Sequence, residues 1–140
     1  MVRIAKAVEY GLAAIQEMDR RQDLVTARDI SEALDLPSGL LAKVMQRLSA
    51  AGIIASVQGV RGGYRLVVAP ERLSFLDLVE AIEGPYRFSS CESGQGSCAR
   101  EAECSVAEPV SRMGARITAV LAETSVAALL EREVIEENQR

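Results

Sequence analysis

The sequence predicts a mostly α-helical protein with one small β-hairpin. Apolar residues recur every three or four positions along most of the chain, which is the spacing of one helix face. Two runs of β-prone residues in IIASVQGVRGGYRLVV flank a glycine-bearing turn. The chain has 140 residues, 49% hydrophobic and 26% charged, so it can bury the core of one domain.

The first helix is indicated by an apolar stripe and the second by a capping pattern. The stripe runs to about Asp19 and contains Ile4, Val8, Leu12 and Ile15. The stretch Thr26-Ala-Arg-Asp29 is a capping box that opens a short helix extending to about Leu34. The inward face of this helix is expected to hold Ile30, Ala33 and Leu34.

A third helix is expected to begin near Pro37 and to stop at Gly52, because proline suits a first helical turn and glycine ends helices. Its predicted buried face consists of Leu40, Leu41, Val44, Met45 and Leu48. The short turn Asp35-Leu36-Pro37 joins it to the second helix. This arrangement predicts a helix-turn-helix, whose second helix can enter a DNA groove.

The predicted hairpin follows this pair of helices directly. Gly62-Gly63 permits backbone angles that other residues avoid, and Arg61 and Arg65 bring two cations to or near the hairpin tip. A hairpin in this position predicts the wing of a winged-helix domain. The alternative is an unrelated α+β domain with a solvated hairpin.

Three further helices are predicted after the hairpin. The capping box Ser74-Phe-Leu-Asp77 opens the first, which ends at Gly84-Pro85 and carries Leu76, Val79, Ala81 and Ile82. A longer helix carries a seam at alternating four- and three-residue spacing, namely Val106, Val110, Met113, Ile117 and Val120. This seam fits either packing within the chain or a dimer interface. Ser125 can cap a last short helix with Val126, Leu129, Leu130 and Val134.

Charge is distributed unevenly along the chain. The net charge of -4 argues against nucleic-acid binding through bulk charge alone. However, no acidic residue lies between Asp35 and Glu71, a stretch that we call the basic window. The residues outside the basic window have a net charge of -8. The cations of the basic window are Lys43, Arg47, Arg61 and Arg65. No apolar run reaches the roughly 18 residues that span a bilayer, and the charged start does not resemble a signal peptide, so we expect a cytoplasmic protein.

The cysteine segment CESGQGSCAREAEC contains every cysteine of the chain, and the chain has no histidine. Three clustered thiols in a reducing compartment favour metal or redox chemistry over a disulfide framework. Structural zinc commonly uses close C-x2-C pairs, which this segment lacks, whereas thiolates on polar loops hold iron-sulfur clusters. A thiol-disulfide switch, or thiols without a function, are the alternatives.

Together these features resemble the iron-sulfur winged-helix transcription regulators typified by IscR and NsrR. The resemblance runs from KAVEYGLAAI through the wing SVQGVRGGYRL and the helix LSFLDLVEAIEGP to the three cysteines and the long helix after them. It implies a winged helix-turn-helix domain at 1–85 and a cluster-binding loop at 86–105. A dimerisation helix and a short C-terminal helix would then occupy 106–140.

The resemblance also implies the ligands of a cluster. The residues that match the family's cysteine ligands are Cys91, Cys98 and Cys104. Ala107 occupies the place where IscR-type members have a histidine ligand. Members similar to NsrR instead recruit an acidic residue from the partner subunit, and Glu9 in AVEYGL matches it. In the alternative interpretation, Glu9 is a solvated carboxylate beside Lys6. A 4Fe-4S cluster is slightly preferred over 2Fe-2S, because three thiolates and one carboxylate can serve one iron each.

For DNA, the family's recognition helix corresponds to residues 38–48 and its wing to residues 58–65. The candidate DNA-binding residues are Arg28, Ser38, Lys43, Arg47, Gln58, Arg61 and Arg65. Gly39 and Leu40 depart from the family's usual serine and tyrosine, which leaves the operator sequence open.

The implied function is that of a homodimeric DNA-binding repressor whose affinity for a double-stranded operator depends on an iron-sulfur cluster. The cluster would sense nitric oxide, redox state or iron status. The alternative is a winged-helix regulator without a cluster, switched by thiol oxidation or zinc. An electron carrier or redox enzyme would leave the helix-turn-helix and the wing unexplained, so we expect no enzyme activity, no organic substrate and no membrane partner.

Overall fold

The computed structural model describes residues 3–93 and 98–130. The predicted fold class is confirmed, since helices predominate and the two strands form one antiparallel pair. The elements are α1 (Lys6–Arg21), α2 (Ala27–Leu34), α3 (Ser38–Ala50), β1 (Ile54–Val57), β2 (Gly63–Leu66), α4 (Phe75–Glu83), α5 (Ala107–Glu123) and α6 (Val126–Leu130), with short 3-10 turns at Pro70–Arg72, Ser90–Ser93 and Glu101–Glu103. Val134, which was predicted to lie on the last short helix, is outside the described residues.

Helices α1, α3 and α4 pack on one another around the main core. Helix α1 approaches α4 closely at Gly11, where a Cβ would lie 2.6 Å from Ile82 Cδ1. Along α1 the apolar stripe is largely confirmed, with Val8 and Ile15 buried and Leu12 half-buried. The prediction for Ile4 is wrong: it precedes α1 and is 51% exposed.

Both predicted capping boxes form. Thr26 Oγ1 accepts a hydrogen bond from the Asp29 amide at 3.0 Å, and Asp29 Oδ2 accepts one from the Thr26 amide at 2.8 Å. Ser74 and Asp77 make the same reciprocal pair at 3.0 and 3.3 Å. Each box satisfies amides that the first helical turn leaves without a backbone partner, so α2 and α4 begin where the sequence indicates.

The turn between α2 and α3 sets the geometry of the helix-turn-helix. Asp35 adopts a left-handed conformation at φ 52°, and the Leu36 amide donates to the Ser31 carbonyl at 3.0 Å. Pro37 then caps α3, whose buried face consists of Leu41, Val44, Met45 and Leu48. The predictions that Ala33 and Leu40 face inward are wrong, because each lies at the exposed edge of its helix beside a leucine that is more deeply placed.

Strands β1 and β2 form the predicted hairpin, with Ile54 opposite Leu66 and Val57 opposite Gly63. Val25, before α2, extends the pairing through reciprocal backbone hydrogen bonds with Tyr64 at 3.1 and 2.7 Å. A Cβ on Gly62 would overlap the Val57 carbonyl oxygen. Gly62 is therefore required by close backbone approach within the wing, whereas a Cβ on Gly63 would lie 2.9 Å from the Val25 carbonyl oxygen.

Helix α5 has one face against the rest of the molecule and one face that is exposed. Gly114 is buried and Leu121 packs on the core, beside α4. On the other side, three seam residues are more than half exposed: Val106 at 57%, Met113 at 55% and Val120 at 61%. These three residues are therefore not part of the core formed by the described residues. A dimer interface, the other interpretation of the seam, stays open for them.

Helix α6 and the segment before α4 join by backbone hydrogen bonds. The Val126 amide donates to the Leu73 carbonyl at 2.7 Å, and the Phe75 amide donates to the Thr124 carbonyl at 2.8 Å. Ser125 caps α6 as predicted, accepting from the Ala128 amide at 3.1 Å. Within residues 3–93 and 98–130, no helix is both long and apolar enough to cross a membrane.

Candidate DNA-binding face and cysteine segment

Helix α3 presents its polar side to solvent at the surface of the helix-turn-helix. Ser38 begins the helix and is exposed, as are Lys43 and Arg47 further along it. Strand β1 packs against α3, so the wing follows directly from this surface. We call α3 together with residues 58–65 the DNA-binding face, because this is the surface for which the sequence predicts DNA contacts.

The cations of the DNA-binding face differ in whether their side chains make hydrogen bonds or ion pairs within the protein. Lys43, Arg61 and Arg65 are exposed, and their side chains make no hydrogen bond or ion pair with any residue that the structure describes. Arg47 Nη1, in contrast, donates to the Ile82 carbonyl at the end of α4, at 2.5 Å. Its guanidinium is therefore engaged within the protein, which sequence reasoning did not anticipate.

Arg28 lies outside α3 and is partly neutralised. Its Nε donates to Glu32 Oε1 at 2.8 Å, with both side chains largely exposed on α2. The hydrogen bond from Arg28 to Glu32, reinforced by the charge of Glu32, raises the pKa of Arg28 above its ordinary value. Arg28 thus remains a cation but has an acidic neighbour that a DNA phosphate would have to displace.

The wing tip combines polar, apolar and basic side chains. Gln58 and Val60 are exposed with Arg61, and Val60 is fully accessible to solvent. Gly59 supplies the positive φ of 119° that turns the chain here. A narrow tip of this kind can reach the sugar-phosphate backbone beside a groove that holds α3.

The three cysteines are free and half-buried. Cys91 lies in the 3-10 turn Ser90–Ser93, which packs on α5, and Cys104 follows the turn Glu101–Glu103. Among the residues that the structure describes, no three His, Cys, Asp or Glu side chains are grouped so that they could hold a metal ion. The structure therefore locates each predicted cysteine ligand without assembling the ligand set.

Glu9 lies on the exposed side of α1. Its Oε2 accepts a hydrogen bond from Lys6 Nζ at 2.9 Å, and its side chain is 46% exposed. This hydrogen bond raises the pKa of Lys6 above its ordinary value. Within a single chain Glu9 is thus the solvated carboxylate of the alternative interpretation, and it is accessible to another subunit.

The residues of the cysteine segment fit an iron-sulfur cluster in donor type. Thiolates are the soft ligands that such clusters require. Ser89, two residues before Cys91, has a buried hydroxyl with no hydrogen-bond partner in the described part of the chain. An unmade buried hydrogen bond costs about 1–3 kcal/mol, and a cluster sulfur is an acceptor that could remove this cost. Nothing in the sequence marks Ser89, since its burial depends on tertiary packing.

Comparison with known families decides what kind of protein this geometry belongs to. The model of the family described as "Rrf2: Iron-dependent Transcriptional regulator" matches residues 4–132. The chain belongs to the Rrf2 family. This membership confirms the resemblance to IscR- and NsrR-type regulators, and the similar proteins are named as transcriptional regulators and not as enzymes.

Individual Rrf2 relatives are similar to different extents of the chain. An HTH-type transcriptional regulator of Aquifex aeolicus is 34% identical over 85 residues, which cover 60% of this chain and 59% of that protein's length. The regulator IscR of Vibrio cholerae is 27% identical over 142 residues, covering 99% of this chain and 82% of IscR. A solved transcriptional regulator from Listeria innocua superposes with a TM-score of 0.75 at 27% identity, over 92% of this chain and 86% of that chain.

Proposed function

We propose that this Rrf2 protein is a homodimeric DNA-binding repressor whose operator affinity is controlled by an iron-sulfur cluster on the cysteine segment. One observation carries the proposal: three free, half-buried thiols stand in the chain between the DNA-binding face and the exposed seam of α5. The family description as iron-dependent supports the choice of iron. The corresponding units are 1–85 for DNA, 86–105 for the cluster and 106–140 for dimerisation, and we expect the protein to act in the cytoplasm.

Double-stranded DNA is the partner that the DNA-binding face suits. Lys43, Arg61 and Arg65 can neutralise phosphates without first breaking an ion pair within the described chain. Ser38 and Gln58 add exposed hydrogen-bonding groups at the start of α3 and on the wing. The two elements would then contact the groove and the backbone beside it.

A second copy of the chain is the occupant that suits the exposed seam of α5. The spacing of Val106, Met113 and Val120 is that of helices that pack lengthwise, and all three are more than half exposed. A groove along the same face is lined by Pro109, Arg112, Met113, Arg116, Ile117 and Val120. A dimer paired through α5 would contain two recognition helices, one for each of two DNA half-sites.

The cluster, when bound, supplies an iron centre that can gain or lose electrons and react with small molecules such as nitric oxide. In this proposal Cys91, Cys98 and Cys104 hold it as thiolates. Glu9 of the partner subunit would complete the ligand set in place of its hydrogen bond with Lys6, and a 4Fe-4S cluster is slightly preferred. An oxygen ligand would match the iron less well than sulfur does, so this position would be the easiest one for a small molecule to attack.

A winged-helix regulator without a cluster is the second candidate. The observation that favours it is that all three thiols are free, and so available for oxidation or for zinc. In this case thiol oxidation or zinc binding would switch the DNA-binding face. The DNA and dimer parts of the proposal are common to both candidates.

Anaerobic purification tests the two candidates directly. We expect a coloured protein with matched iron and sulfide contents, and loss of both in Cys98→Ser. Binding to a duplex selected from a random-sequence library should differ between the loaded protein and the protein stripped with a chelator. A colourless, iron-free protein whose DNA affinity responds to oxidant would establish the second candidate instead.

A further inference from the structure

Arg47 makes a hydrogen bond to a residue of another helix, 35 positions further along the sequence. Its Nη1 donates to the Ile82 carbonyl at 2.5 Å, from the last turn of α3 to the last turn of α4. The final carbonyls of a helix have no partner within it and carry its partial negative charge. A guanidinium is well suited to this position, because it supplies both a donor and a positive charge.

The cysteine segment begins at Cys91, eight residues after the end of α4. Ile82 itself is 2% exposed, so its backbone is held in the core. Helix α4 stops at Glu83, Gly84 turns the chain at φ 86°, and Pro85 leads towards Cys91. Both α4 and the 3-10 turn that contains Cys91 pack on α5. The cysteine segment is therefore connected to the end of α4 both along the chain and through α5.

We propose that Arg47 is a positioning residue that ties the recognition helix α3 to the end of α4, and that its charge is not available to DNA phosphate. Through this link the state of the cysteine segment changes the placement of α3, a part of the proposal that rests on the proposed cluster control. The DNA-contacting cations of the basic window are then Lys43, Arg61 and Arg65.

Salt dependence separates positioning from phosphate contact. The probe is a duplex selected from a random-sequence library, and the affinity of the full-length dimer is measured from about 50 to 200 mM salt. Lys43→Gln is the matched control on the same helix, and it should make the slope of log affinity against log salt shallower by about 1 for each recognition helix. Arg47→Gln should leave the slope unchanged, whereas an equal reduction in slope would overturn the proposal.

The second readout is the affinity ratio between cluster-loaded and chelator-stripped protein. We expect Arg47→Gln to reduce this ratio by about 2- to 30-fold, the range of single coupling residues, and Arg47→Lys to restore part of it. A lower Tm with an unchanged ratio and slope would show a purely structural role and contradict the proposal. If the wild-type ratio is 1, cluster control fails as a function, while the slopes still decide whether Arg47 contacts phosphate.

Discussion

Glu17 is a buried carboxylate held by two arginines of its own helix. Its Oε1 accepts from Arg20 Nη2 and from Arg21 Nε, both at 2.6 Å, and its Oε2 accepts from Arg20 Nε at 3.3 Å. These hydrogen bonds hold the pKa of Glu17 below its ordinary value. The apolar stripe of α1 did not indicate this residue, although its arginines at three- and four-residue spacing are visible in the sequence.

The lowered pKa of Glu17 predicts a loss of stability in acid. A carboxyl group whose pKa falls on folding stabilises the folded state above its unfolded value, about 4.3, and loses this contribution as the pH drops through the folded value. Glu17→Gln should therefore flatten the acid limb of the unfolding free energy, and lower that free energy at pH 7 by about 1 kcal/mol. Urea unfolding between pH 3 and pH 7 measures both, with Glu32→Gln as the exposed control. An acid limb as steep as the wild type's would rule out this role.

Substitutions of Glu9 and of Lys6 are expected to have different effects on the lifetime and absorption spectrum of the cluster. If Glu9 of the partner subunit is a ligand, Glu9→Ala should shorten the cluster's lifetime and change its absorption spectrum. Lys6→Ala removes the competing hydrogen bond of 2.9 Å and should leave the spectrum intact with an equal or longer lifetime. Decay of the visible absorption in air measures the lifetime. Identical spectra and lifetimes in wild type and Glu9→Ala would remove Glu9 from the ligand set.

At the scale of elements, the wing depends on Gly62. Its Cβ would overlap the Val57 carbonyl oxygen, so Gly62→Ala must displace the strand backbone. We expect a lower Tm and faster amide hydrogen exchange in β1 and β2. Gly39→Ala is the control, because a Cβ there would meet no described atom within 4 Å beyond its own stretch of helix, and alanine favours helix α3 by about 0.5–1 kcal/mol. Equal Tm values for the two variants would contradict the steric argument.

The seam of α5 predicts the oligomeric state. Met113→Glu places a charge in the middle of the proposed dimer interface, and we expect the dimer Kd to rise by at least about tenfold, which corresponds to about 1.4 kcal/mol. Ala115→Glu is the control, since Ala115 is exposed on the same helix but outside the seam. Sedimentation at several concentrations measures the Kd. A Met113→Glu protein as dimeric as the control would place the interface elsewhere.

At the scale of the whole molecule, the basic window predicts how binding responds to salt. With Arg47 engaged by α4, a dimer offers six cations from the DNA-binding face, which predicts a slope of log affinity on log salt of about -5. All eight cations of the basic windows would give a slope of about -7. Titration of the selected duplex between about 50 and 200 mM salt distinguishes the two, and a slope near zero would contradict binding through this face.

Local signals predicted the helices, the hairpin and their order well. Capping boxes and terminal glycines act within a few residues, so α2, α4 and the end of α3 could be read from the sequence. Burial at helix edges could not be read from the sequence. Ala33 and Leu40 each lie beside an inward-facing leucine, and the packing of neighbouring helices decides which of the two adjacent residues is buried. The cysteine ligands were recognised by spacing and resemblance, and their assembly into a site stays a prediction.

The sequence by itself determined the fold class and the basic window through composition and short-range spacing. The family and the candidate ligands came from the resemblance of its motifs to those of known regulators. The tertiary structure decided which side chains are available. It left Lys43, Arg61 and Arg65 without a described partner, joined Arg47 to the end of α4, buried the hydroxyl of Ser89 and exposed the seam of α5. These outcomes depend on contacts between residues far apart in the chain, which no local pattern specifies.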